Sequence, residues 1–208
     1  MAFVFIHGLG QDPSSWDKTI LFMGSQNKYL CPNLITLLNN NDISYENLYR
    51  VFSDYCNNIP EPIHLCGLSL GGNLALNYVI DYPEKVKSLI LIGTQDKMPK
   101  FLLKFQYFIF SFIPENIFIK NGISKRHFLQ IINSMMNLDF KEELKNISCA
   151  TLIICGEKDI FNKKAAKNLK KNIHDSHLVI IKKSGHVMNI DDPENLATEI
   201  EIFYKNNL

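Results

Sequence analysis

The first thing this chain lacks is an excess of charge of one sign. Its 22 lysines and arginines face 21 aspartates and glutamates, so a net charge of +1 creates no broad electropositive field. A nucleic-acid partner is therefore not expected. Arginine is nearly absent: only Arg50 and Arg126 occur, which leaves few groups able to grip a carboxylate in a bidentate fork. The cysteines at 31, 56, 66, 149 and 155 are odd in number and contain no C-x-x-C pair. That argues against zinc or a disulfide framework and for buried free thiols in a reducing compartment. No basic segment or small-residue cleavage site precedes the first motif, so the expected location is the cytoplasm. No stretch reaches the ~20 predominantly apolar residues that a bilayer-spanning helix needs. Internal repeats and low-complexity tracts are also missing.

What is present suits a single domain over residues 1–208, with 46% hydrophobic and 21% charged residues. Residues 2–6 form a continuous apolar, aromatic run, as expected of a strand buried on both faces, and end at His7-Gly8-Leu9-Gly10. Asp12, Ser14 and Ser15 offer caps for a helix through Trp16, Ile20 and Met23, and residues 28–31 read as a short strand. Ser44 begins a helix in which Leu48, Val51, Phe52, Tyr55 and Cys56 follow the 3.6 period. Further strands are predicted at 86–92, 150–155 and 178–182. A helix is predicted at 163–172, and another opens at Asp192-Pro193 with a cap followed by proline. Strands separated by helices imply a parallel sheet covered on both faces. Residues 95–146 break the alternation with helical, aromatic-rich sequence. Lys97, Lys100 and Lys104 share one face there, and Phe101, Leu102, Phe105, Phe108, Ile109 and Phe112 fill the rest. The expectation is a lid with a wet back and an apolar underside, with Phe101, Phe105 and Phe108 against substrate.

The stretch I-H-L-C-G-L-S-L-G-G-N, from Ile63 to Asn73, reads as strand, tight turn and helix with Ser69 at the apex. A serine there must adopt a cramped, positive-φ conformation, which requires that Gly67 and Gly71 carry no Cβ. The turn lifts the hydroxyl clear and aims the Leu70 amide and the helix N-terminus at a developing oxyanion. Beyond other strand ends lie Gly156-Glu157-Lys158-Asp159 and Ser184-Gly185-His186, and open parallel sheets gather their chemistry at strand carboxyl ends. Asp96 also follows a strand end, and Asp191 and Asp192 are near His186 in sequence, so they compete with Asp159 as the acid; Asp192 is better explained as a helix cap.

Four motifs in this order, H-G-L-G, G-L-S-L-G-G, G-E-K-D and S-G-H before D-P-E-N, resemble the α/β-hydrolase family over nearly the whole chain. By that resemblance Ser69 is the nucleophile, His186 the general base and Asp159 its orienting acid, while the amides of Leu9 and Leu70 form the oxyanion hole. The implied fold is a three-layer α/β structure with a helical lid. Family members usually carry two more strands ahead of the His-Gly strand, in which this chain begins, so six parallel strands are implied, with 28–31 at one edge. Leu68 stands where many relatives have histidine. The implied activity is hydrolysis of a small uncharged carboxylic ester or thioester through an acyl-enzyme, with no metal or organic cofactor. Other readings are a C–C bond hydrolase or lyase of the same fold, a non-catalytic small-molecule receptor, and a variant that sets the lysine and phenylalanine stripe on a membrane surface.

Overall fold

The β-branched and aromatic runs form strands β1 (Ala2–Ile6), β2 (Lys28–Leu30), β3 (Ile63–Leu68), β4 (Val86–Ile92), β5 (Ala150–Gly156) and β6 (Ser176–Ile181) in a computed structural model that describes residues 1–24, 27–39, 42–119 and 122–207. They build one sheet in the order β2-β1-β3-β4-β5-β6, with every pair parallel and β2 at the edge as expected. One row of the register runs Ile6, Gly67, Leu91, Ile153, Leu178. The last strand starts at Ser176, two residues earlier than its apolar run suggested.

The helices are α1 (Asp17–Met23), α2 (Leu34–Leu38), α3 (Tyr45–Asn57), α4 (Leu70–Asp81), α5 (Lys100–Phe112), α6 (Glu115–Ile119), α7 (Lys125–Ser134), α8 (Lys163–Asn172), α9 (Met188–Asp191) and α10 (Pro193–Asn207). Ser44 caps α3 by accepting from the Asn47 amide at 3.2 Å, and Asp12 caps the 3₁₀ turn that precedes α1. Strand side chains alternate between two cores. Ala2, Val4, Ile6, Leu65, Leu89 and Leu91 meet α3, α4 and α8, while Phe3, Phe5, Cys66, Ile90 and Ile92 meet Trp16 and α10. Both faces are covered, which is why these strands read as unbroken apolar runs. The chain leaves β1 toward β2 and then returns across β1 to β3, so the loops after β1 and β3 diverge. A crevice opens there at the carboxyl ends of the strands.

The segment between β4 and β5 carries α5, α6 and α7. An antiparallel bridge between Lys97 and Asp139 closes its base, with Met98 N–H donating to Leu138 O at 3.0 Å and Phe140 N–H to Asp96 O at 2.9 Å. Phe110, Phe118 and Phe128 tie its three helices together with edge-on ring contacts at 5.0 to 6.4 Å. Lys97, Lys100 and Lys104 are exposed, but the phenylalanines expected on the underside are on the outer side of α5. Phe101, Phe105, Phe108 and Phe112 face outward, 86%, 53%, 61% and 72% exposed, whereas Leu103 is buried and Phe110 packs inward. The helix is apolar on two opposite sides, and a periodic pattern cannot say which side meets the body of the protein.

His64 lies in β3, stacked on Phe3 at 4.6 Å with Nδ1 2.8 Å from the Ser88 hydroxyl. Burial, aided by the charges of Lys87 and the N-terminus, pushes its pKa from 6.5 down to about 4. The unfolded chain therefore binds a proton that the native ring refuses. This contribution to stability is whole above pH 6.5 and is lost as the pH falls toward 4. The urea midpoint should drop between about pH 7 and pH 5, and His64→Phe should flatten that part of the profile.

Candidate active site

The site begins with crowding between backbones. A Cβ on Gly67 would lie 2.3 Å from the Gly71 carbonyl oxygen, and one on Gly71 would lie 2.2 Å from the Ile6 carbonyl oxygen. Only glycines let β1, β3 and the start of α4 approach this closely. Between them Ser69 takes φ 54° and ψ −112°, strain of about 1–3 kcal/mol that the surroundings hold in place. Its N–H donates to Ile92 O at 2.9 Å, which ties the turn to the end of β4.

Beyond β5 the turn is anchored to the loop after β6: Glu157 N–H donates to Ile181 O and Lys158 N–H to Ser184 O, each at 2.9 Å. This brings Asp159 Oδ2 to 2.7 Å from His186 Nδ1. The aspartate side chain is 3% exposed and the imidazole 37%. Asn162 donates through Nδ2 to both carboxylate oxygens at 2.8 Å. Its Oδ1 accepts from Gln95 Nε2 at 2.6 Å. Burial pushes the Asp159 pKa up, but the hydrogen bond and charge of His186, with the donors of Asn162, outweigh it and hold the carboxyl below its ordinary range. A carboxylate on Nδ1 keeps the proton there and leaves the Nε2 lone pair free to act as a base.

The competing acids are engaged elsewhere. Asp96 is buried and accepts from Asn168 Nδ2 at 3.3 Å. Asp192 accepts from the Ser184 hydroxyl and from Asn195 Nδ2, and Asp191 is exposed at the end of α9. Of these carboxylates only Asp159 bonds to His186.

Ser69, His186, Asp159, Leu9 and Leu70 line one cavity of about 330 Å³. Among the described residues no hydrogen bond joins the Ser69 hydroxyl to His186; such contacts commonly tighten only around substrate. Leu70 opens α4, so its N–H has no acceptor within the helix. The loop bearing Leu9 is laced down. Gly8 N–H donates to Gln11 Oε1 at 2.9 Å, and Gln11 Nε2 donates to Asn189 Oδ1 at 3.1 Å, which links this loop to the one that carries His186. His7, buried, accepts the Leu34 N–H on Nε2 at 3.2 Å and donates from Nδ1 to Gly8 O at 2.9 Å. Burial lowers its pKa, as this neutral tautomer requires.

Phe101, Phe105 and Phe108, expected to touch substrate, lie outside this cavity. Leu103, Gln106 and Phe110 from the opposite side of α5, and Phe128 and Ile132 from α7, take their place. The lining contains no lysine or arginine among the described residues. Sequence reasoning also missed Asn162, three residues after Asp159, and Gly93. A Cβ on Gly93 would stand 2.9 Å from His186 Cε1 and Nδ1, so the end of β4 forms the floor beneath the imidazole. Its place just after the 86–92 strand was the signal available for it.

A parallel sheet with a strained serine turn, and a buried aspartate bound to a partly exposed histidine at its carboxyl edge, defines a class of α/β protein. A sequence model of the alpha/beta hydrolase family matches residues 3–199, and the chain belongs to that family. It is 21% identical to the mouse monoacylglycerol lipase ABHD6, covering 96% of this chain and 74% of that protein. It is 22% identical to the pimeloyl-[acyl-carrier protein] methyl ester esterase of Legionella pneumophila strain Lens, covering 99% of this chain and 95% of that one. The structure of MenH from S. aureus shares the fold with a TM-score of 0.83 at 18% identity, covering 100% of this chain and 94% of that one.

If the floor and the amide anchor set the position of the imidazole, Gly93→Ala should cut turnover of an activated ester about a hundredfold with the far-UV circular dichroism unchanged. Asn162→Leu should lower kcat by about tenfold and leave KM near the wild-type value. A wild-type kcat in the latter would show that Asp159 needs no second anchor.

Proposed function

We propose that this protein is a serine hydrolase of uncharged carboxylic esters or thioesters with an apolar part. The observation that carries the reading is a positive-φ serine sharing one cation-free, largely apolar cavity with a carboxylate-bound histidine. The Ser69 hydroxyl attacks the carbonyl carbon while His186 Nε2 takes its proton, and Asp159 stabilises the imidazolium that results. The Leu9 and Leu70 amides hold the tetrahedral oxyanion. His186 then returns the proton to the departing alcohol or thiol, leaving an acyl-enzyme on Ser69. Water activated by the same imidazole releases the acid.

Two of the relatives carry names of ester hydrolysis, which supports ester over other acyl bonds. At about 330 Å³ the cavity is at the small end of the ~300–1,000 Å³ of ligand pockets, and this favours a short group beside the carbonyl. A lyase or C–C hydrolase acting on a carboxylated substrate would want a cationic anchor. Arg50 pairs with Asp54 on α3, and Arg126 lines a separate hollow on the insertion. In this reading residues 95–146 act as a lid over a single domain. The thiols of Cys56, Cys66 and Cys155, buried with raised pKa, suit a reducing cytoplasm.

A fluorophosphonate probe should label the wild-type protein, and Ser69→Ala should abolish labelling; label retained on the variant would reject the nucleophile. p-Nitrophenyl butyrate should turn over and small dicarboxylates should not, whereas the reverse preference would favour the lyase reading.

A further inference from the structure

The structure leaves one large apolar feature unused by the proposed reaction, on the outer side of α5. Phe101, Phe105, Phe108 and Phe112 recur at i, i+4, i+7 and i+11, which places them within about 60° of arc at 100° per residue. All four are more than half exposed, and Phe108 and Phe112 contact each other edge-on at 5.0 Å. The opposite side of the same helix, through Leu103 and Phe110, already roofs the Ser69 cavity. Internal packing therefore needs only one of the two apolar faces.

Along α5 and its approach the charges have one sign, although Asp96 lines the neighbouring groove. From residue 97 to residue 114 the sequence contains three lysines and no acid. Lys97 is committed to Asp139 at 2.5 Å, while Lys100 and Lys104 are exposed along one flank of the phenylalanine row. Beside the first turns of α5 runs an apolar groove of about 880 Å³, lined by Phe101, Phe105, Ile160 and Phe161, with Lys141 and Lys164 also on its walls. The groove shares Gln95, Met98, Pro99 and Phe161 with the Ser69 cavity, so the two hollows are separated only by these residues.

We infer that α5 is a docking helix for an anionic lipid surface, with the phenylalanine ridge inserted at the headgroup boundary and Lys100 and Lys104 against the lipid charges. A row of rings flanked by lysines has the composition of an interfacial helix that sinks ~5–10 Å into a bilayer. The ridge rings are exposed on the outer side of α5, which suits insertion into a deformable lipid layer. A second copy of the chain is a poor occupant, since an antiparallel isologous pairing through this face would bring two lysine flanks together. The inference goes beyond the ester reading, and its test does not depend on turnover.

Flotation with vesicles of phosphatidylcholine, with and without phosphatidylglycerol, tests it. Wild type should bind the phosphatidylglycerol vesicles and release as salt is raised. The F108S/F112S pair should weaken binding at least about tenfold through the loss of two inserted rings. The K100E/K104E pair should weaken it about thirtyfold or more on anionic vesicles. Both pairs should keep the wild-type thermal midpoint, since these side chains are exposed. Absence of wild-type binding to either vesicle, or equal binding by the F108S/F112S pair, would overturn the proposal. So would a dimer in sedimentation that vanishes in F108S/F112S, or binding to polyglutamate without binding to vesicles.

Discussion

The close contact of three backbones, where the carbonyl of Ile6 and the turn from β3 into α4 meet with no side chain between them, is the constraint on which the rest of the site depends. A Cβ on Gly71 would lie 2.2 Å from that oxygen, so α4 begins directly beneath the end of β1 only because none is there. Ser69 is thereby held at φ 54° and lines the cavity in the crevice. A Cβ at either glycine would push α4 off the sheet. The strain at the serine is held by the Ile92 carbonyl, which accepts the Ser69 N–H, and by the first turn of α4, where Asn73 N–H donates to Ser69 O.

Around that fixed point the other groups arrive on loops, and loops need lacing. The turn bearing Asp159 is bonded through its amides to the loop bearing His186, and Asn162 occupies both carboxylate oxygens so that the acid has one orientation. Gln11 and Asn189 join the Leu9 loop to the far side of the same histidine loop. Segments nearly 180 residues apart in the chain thus share one hydrogen-bonded frame, and the groups proposed for acyl transfer sit on it already oriented.

The helical insertion obeys a different logic. Its interior is an aromatic cluster of Phe110, Phe118 and Phe128, and its base is a two-residue clasp with a Lys97-Asp139 ion pair. One apolar side of α5 closes the cavity, and the other, flanked by lysines, is exposed. A single helix can in this way meet substrate with one face and a surface with the other.

Much of this was legible in the residues themselves. The 2–6, 86–92 and 150–155 runs became strands because a doubly covered parallel strand has no polar face to interrupt it. The glycines around Ser69 were readable because positive φ and close approach are local demands on single residues. What required tertiary structure was every choice between equivalent local patterns. Helical period is blind to direction, so it cannot tell that Phe101, Phe105 and Phe108 lie on the outer side of α5, a choice decided by the contact of Phe110 with α7. Asp159 was separated from Asp96 and Asp192 only by the loop-to-loop bonds that carry it to His186, and Asn162 and Gly93 matter only once those loops have met. The sequence by itself determined the elements and the strained turn, since these follow from backbone sterics and burial period. Tertiary structure decided which faces and which acids meet, since that depends on distances no local pattern encodes.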